Sequence, residues 1–143
     1  MKTNVKYQIL QMKQSEAYHG YRFEGTNSPF CLAKKIGNLL VVPCTAYRTV
    51  FTAERYMDIT DLRVELEKLF VDCQCHYAPA VDGKPYRAAS LSVSDIVSLT
   101  LWENVTIHFF VDSFGFMEVR FVPQDFLDSL EGGVPSDEAA RVS

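Results

Sequence analysis

The stretch SLSVSDIVSLTLWENVTIHFFVDSFGFMEVRFV, residues 90–122, decides the fold. Over residues 96–102, alternation separates Val97, Leu99 and Leu101 from Ile96, Ser98, Thr100 and Trp102. Over 105–112 it separates Val105, Ile107, Phe109 and Val111 from Thr106, His108, Phe110 and Asp112. Over 116–122 it separates Met117, Val119 and Phe121 from Phe116, Glu118, Arg120 and Val122. A period of two in β-branched and aromatic residues marks a strand. In each strand one face is wholly apolar and the other mixed, which predicts an antiparallel three-stranded meander packed on a core from one side. Glu103-Asn104 is short enough for a tight hairpin turn, and Asn tolerates the positive φ such turns need. Asp112-Ser113-Phe114-Gly115 forms the second turn. Gly115 supplies conformational freedom there, and Asp112 or Ser113 can accept from neighbouring backbone amides.

The segment SLSVSDIVSL followed by HFFVDSFGFMEV resembles the carboxy-terminal half of the YodL-like domain family. In that family a Ser-x-Ser-Val-x-Asp-Val/Ile-Val stretch leads through a hairpin to a Tyr/Phe-Val-Asp-Ser-Phe-Gly-Phe turn. The matching positions include Ser92, Val93, Asp95, Ile96, Val97, Val111, Asp112, Ser113, Phe114, Gly115 and Phe116. Upstream similarity is weaker, at Tyr7-Gln8-Ile9, Arg22-Phe23-Glu24, residues 47–52 and a helix at 62–70. The chain departs from the pattern where Val71 replaces the Asn that often follows the helix, and residues 72–86 are longer and richer in Cys. The resemblance implies a fold and a setting in bacterial conjugative and phage-like elements. It implies no reaction and no catalytic residues.

Working outward, 143 residues with 48% hydrophobic and 22% charged content suit one compact domain with a genuine core. The expected boundaries are 1–131 for the domain and 132–143 for a flexible tail, since small and polar residues follow Gly132-Gly133. Residues 61–70 read as the main helix, capped by Thr60 or Asp61, with Leu62, Leu66, Leu69 and Phe70 inward and Arg63, Glu65, Glu67 and Lys68 in water. Residues 123–131 read as a short second helix opened by Pro123. Residues 5–13, with Tyr7 and Ile9 inward, 39–42 and 47–54 read as strands. Residues 30–36 read as a short helix ended by Gly37-Asn38, and 71–87 as a long loop. The expected class is α+β: an antiparallel sheet with one main helix on one face and a short C-terminal helix.

The net charge of −4 argues against a nucleic-acid binder, which normally carries a basic surplus. No apolar run approaches the ~20 residues of a membrane span. No basic segment followed by a long apolar core opens the chain, so the simplest expectation is a cytoplasmic protein away from membranes. Cys73-Gln74-Cys75-His76 offers zinc-type ligands, but structural sites need paired motifs, and Cys31 and Cys44 stand alone. Loop or core thiols are the preferred reading, with no metal, cofactor or disulfide framework. Ser92, Ser94, Asp95, His108, Asp112 and Ser113 supply the residue types of a hydrolase triad without its nucleophile elbow or oxyanion loop. Asp95 and Asp112 read instead as turn braces.

A non-enzymatic protein-binding module is therefore the favoured class, with Trp102, Glu103 and Asn104 at a hairpin tip as its candidate contact residues. Trp is enriched at interface hot spots. With the family setting, this predicts an effector or accessory protein of a mobile element or phage that binds a host or element-encoded protein, for instance one in host defence. The runner-up is an enzyme acting on a small substrate or nucleotide through His108, Asp95 or Asp112.

Overall fold

The computed structural model describes residues 2–74, 79–102 and 105–133. Among the described residues nine strands and two α-helices follow in the order β1 (Lys2–Met12), β2 (Lys34–Ile36), β3 (Leu39–Pro43), β4 (Tyr47–Asp58), α1 (Leu62–Asp72), β5 (Ala80–Val81), β6 (Lys84–Pro85), β7 (Ile96–Trp102), β8 (Val105–Asp112), β9 (Gly115–Val122) and α2 (Gln124–Gly133). Seven strands form one sheet in the order β2-β3-β9-β8-β7-β1-β4, and β5-β6 is a separate hairpin. The expected meander is real, as β7-β8-β9, but it is the middle of a larger mixed sheet, because β3 pairs with β9 in parallel.

Both faces of the sheet are covered. On the first, Val5, Tyr7, Ile9, Phe51, Ala53, Val97, Leu99 and Val111 pack beneath Leu66 and Leu69 of α1. On the second, Met12, Val42, Tyr47, Ile96, Phe110 and Val119 pack against Cys31, Leu32 and Ala33. β4 serves both cores. Its register against β1 slips by one residue at Val50, opposite the Ile9–Leu10 step, so Tyr47 and Phe51 join opposite cores. A bulge of this kind flips the side-chain phase of a strand.

Two-sided cover also corrects the expected face of β9. Val111 pairs with Phe116 and His108 with Val119, so Phe116 packs on the first core while Val119 and Phe121 belong to the second. Met117, expected inside, is 45% exposed. Residues 30–36 are not a helix. Residues 34–36 form β2 and pair with β3 across Gly37-Asn38, which is a hairpin turn and not a helix stop. Gly37 holds the φ of +61° that such turns favour.

The region expected to be a loop at 71–87 continues α1 to Asp72 and then forms the β5-β6 hairpin. Its turn residues, Asp82 (φ +50°) and Gly83 (φ +79°), both have positive φ, as an Asp-Gly hairpin turn requires. Asp82 accepts from Tyr7 Oη (2.7 Å) and Arg55 Nε (2.8 Å), and Arg55 reaches Asp72 as well (2.8 Å). This network ties the hairpin and the end of α1 to β1 and β4.

Glu65, expected in water, is buried and accepts from the Asp58 backbone N–H at 2.9 Å. Asp61 stands at the N-cap of α1 without a side-chain cap bond. Instead Asp58 accepts from both the N–H and the hydroxyl of Thr60. On the same outer strand, Lys84 Nζ donates to the Thr52 carbonyl at 3.0 Å. Side chains thus occupy backbone groups that an edge strand otherwise offers to other chains.

Phe110 is fully buried in the second core, whereas its neighbour Phe109 is only partly buried against the first. We expect Phe110→Ala to cost about 3–5 kcal/mol and Phe109→Ala distinctly less, measured by urea unfolding of both variants.

Candidate functional site

The motif residues gather where β7 begins beside the end of β8. Ser92 and Asp95 bond reciprocally: the Asp95 N–H donates to the Ser92 carbonyl (3.0 Å), and the Ser92 N–H donates to Asp95 Oδ2 (2.9 Å). Gln11 Nε2, reaching from β1, donates to the same oxygen at 3.1 Å. Ser94 donates its N–H to the Val111 carbonyl (2.9 Å), and Val111 returns a bond to the Asp95 carbonyl (2.8 Å). The turn therefore extends the β7-β8 ladder by one bridge. Ser94 sits at φ +82°, a conformation disfavoured for a residue with a Cβ. It is held there by Tyr47 Oη, which donates to its carbonyl at 2.7 Å, and by the Phe23 N–H, which donates to its hydroxyl at 2.9 Å.

Asp112 closes a second cluster at the other turn. Its Oδ1 accepts from the N–H groups of Thr26 (2.9 Å) and Ser113 (2.8 Å), and its Oδ2 accepts from the Thr26 hydroxyl. These bonds hold its carboxyl below the usual range despite partial burial. Gly115, at φ +104°, completes the turn. Gly25 lies so close that a Cβ there would come within 2.6 Å of both Asp112 Oδ1 and Ser113 Oγ. Both polar clusters thus clasp one segment, residues 22–26, against the sheet. The motif pointed to turn bracing at Asp95 and Asp112. It gave no sign of the segment being held, since that lies some 70 to 90 positions earlier.

Asp95 is the unusual member. It is wholly buried, and burial pushes its carboxyl up to about 7 against the pull of the Ser92, Gln11 and Arg22 groups. Among the described residues its Oδ1 has no hydrogen-bond partner, nor has the buried Arg22 Nε. An ionised oxygen without a partner in the core is costly, which favours the neutral acid.

His108 is elsewhere. Its Nδ1 shares a hydrogen bond of 2.6 Å with Ser98 Oγ, its ring meets Phe121 edge-on at 4.6 Å, and burial lowers its pKa. Ser98 is buried, so it orients the imidazole and does not present a nucleophile. Asp112 lies four residues further along β8, about 13 Å at strand rise, and Asp95 about three residues away, about 10 Å. With both carboxylates engaged elsewhere, the Ser, His and Asp side chains do not converge as a triad.

β8 and β9 part beyond the His108–Val119 pair as β9 turns to β3. A cleft of about 420 Å³ opens there, lined by Thr106, His108, Glu118, Arg120 and Phe121 among others.

Trp102 is 60% exposed at the end of β7, opposite Val105, which is 40% exposed. Glu103 and Asn104, the other candidate contacts, lie outside the described residues. Phe114, at the opposite turn, is 95% exposed. Cys73 is a core thiol whose pKa burial pushes up to about 12. Cys75 and His76 lie outside the described residues. Among the described residues no three His, Cys, Asp or Glu side chains gather as a metal site, and no helix is long and apolar enough to cross a membrane.

The YodL-like domain family model matches residues 6–121, from within β1 to the penultimate residue of β9. The chain belongs to the YodL-like domain family. No curated protein and no solved structure matches the chain. In this YodL-like domain the motif residues Ser92, Ser94, Asp95, Asp112 and Ser113 hold backbone, while the motif's Phe114 faces solvent.

Two outcomes test the clasp. A buried acid whose pKa rises from about 4 to about 7 on folding binds its proton more tightly in the folded state. Its contribution is full below about pH 4 and is lost as pH rises through about 7, so Asp95→Asn, which keeps an acceptor for Ser92 and Gln11, should flatten that fall by about 1–3 kcal/mol. Thermal melts of both proteins from about pH 5 to about pH 8 measure it. Gly25→Ala should lower stability by about 1–3 kcal/mol, because Asp112 and Ser113 must move aside, and urea unfolding checks this.

Proposed function

We propose that this YodL-like domain is a non-enzymatic binding module that docks a host or element-encoded protein through the Trp102–Val105 end of the sheet. The carrying observation is Trp102 itself. It is the only tryptophan of the chain and leaves most of its ring in water, where it gains little from its own domain. A large amphipathic ring at a projecting sheet end is the kind of anchor that dominates protein interfaces. The polar residues of the motif support this reading from the other side, because the hydrogen bonds of Ser94, Asp112 and Asp95 Oδ2 go to the fold. The mild negative charge would steer the domain towards a basic protein face. The wider role, as an effector or accessory protein of a bacterial mobile element or phage that blocks a host protein such as a defence factor, rests on the family resemblance. A cytoplasmic site of action follows from the same reading.

An enzymatic reading has one observation in its favour: the cleft at the parting of β8 and β9 has His108, Glu118 and Arg120 among its lining residues. Burial keeps His108 neutral near pH 7, able to exchange a proton with a small substrate in that cleft.

Affinity capture from host lysate should enrich a partner with the wild-type domain and lose it with Trp102→Ala, with affinity for the purified partner falling about 30-fold or more. Because Trp102 is the only tryptophan, its emission should shift to the blue on binding. If Trp102→Ala binds as wild type, or if His108→Ala abolishes a measured turnover, the binding reading fails.

A further inference from the structure

The exposed Phe114 stands on a ridge between two hollows, well away from Trp102. Residues 105 and 112 bound β8, so the two surfaces are about 23 Å apart at strand rise. On one side of the ridge, a hollow of about 280 Å³ is lined by Phe70, Val71, Val111 and Phe116 together with the polar Glu67, Asp112 and Ser113. On the other, Phe114 itself and Phe109 line a second hollow with Arg63. An apolar cavity of ~150 Å³ is enough to take up benzene, so the first hollow has room for a phenyl ring. Val71, on the same stretch of wall, is 66% exposed.

We infer that the domain associates with a second copy of itself about a two-fold axis, the Phe114 ring of each copy filling the hollow between α1 and the 112–116 turn of the other. A two-fold interface must be self-complementary, each feature meeting its counterpart on the partner. This patch has that property in shape, because a projecting ring and a hollow lie side by side. It also has it in charge. Arg63 flanks the ring and Glu67 flanks the hollow, so insertion brings the guanidinium of one copy to the carboxylate of the other. Within one copy these two side chains are only loosely paired at 3.7 Å and largely exposed, free to turn outward. The domain carries on the adjacent ridge both a ring and a cation that suit a hollow lined by Phe70, Phe116 and Glu67.

Sedimentation velocity of the full chain from about 1 μM to about 1 mM tests this, since self-association depends on concentration. A dimer should form, and Phe114→Ser should raise its dissociation constant about 30-fold or more, as truncating a central aromatic anchor does. The ring makes almost no contact with its own domain, so the variant should fold, which circular dichroism verifies. Glu67→Arg alone should weaken the dimer, and the swap Arg63→Glu with Glu67→Arg should restore it. A wild-type chain that stays monomeric throughout, or a dimer unchanged by Phe114→Ser, overturns the inference.

Discussion

The carboxyl of Asp95 is the point on which the fold turns. One of its oxygens collects the Ser92 amide and the Gln11 side chain, which joins the start of β7 to β1. Its backbone completes the ladder to Val111 of β8. The adjacent Ser94, strained at φ +82°, takes the hydroxyl of Tyr47 and the amide of Phe23. Four separate regions of chain therefore meet at two residues. Such a knot needs a residue with several acceptors and little bulk, and it tolerates burial only where its polar atoms are met or the acid gives up its charge.

This constraint explains why a short polar motif can mark a family without announcing a reaction. Ser92, Asp95, Asp112 and Ser113 resemble catalytic equipment by residue type. In space they are hydrogen-bonding partners of backbone at two turns, and both turns grip residues 22–26. The grip lays that segment, and the apolar residues 31–33 after it, over the second face of the sheet. Motif membership speaks here for architecture, and chemistry must be argued from the groups left over. Those are Trp102, Phe114 and the cleft beside His108, each outside the hydrogen-bonded knot.

Much of the architecture was legible because its signals are local. The alternation in residues 96–122 and the apolar stripe of Leu62, Leu66 and Leu69 gave three strands and a helix. The rest depended on contacts between distant residues. The parallel pairing of Val41–Pro43 with Arg120–Val122 has no local signature, and it turns a meander into a mixed seven-stranded sheet. The inward face of β9 is not legible because both faces of the sheet are covered, and an apolar alternation then fails to say which side holds which core. Gly37-Asn38 resembled a helix stop because glycine serves both roles. The Asp82-Gly83 hairpin turn, within a region read as a long loop, lies hidden because the two-residue strands around it are too short to show a period. At the site, Asp95 and Asp112 were readable as braces, while Gln11, Tyr47, Arg22 and Gly25 came from elsewhere in the chain and no spacing rule joins them to the motif.

The motif carboxyl is a buried structural acid that holds its proton to far higher pH than an exposed aspartate does. Carboxyl carbon chemical shifts of Asp95, followed by NMR through a pH titration of the folded protein, measure that state directly. The account predicts a midpoint near 7, with the resonance of the protonated acid persisting at mildly acidic pH. A midpoint near the ordinary aspartate value of about 4 would contradict it, because the carboxylate would then be charged across the neutral range and solvated or paired.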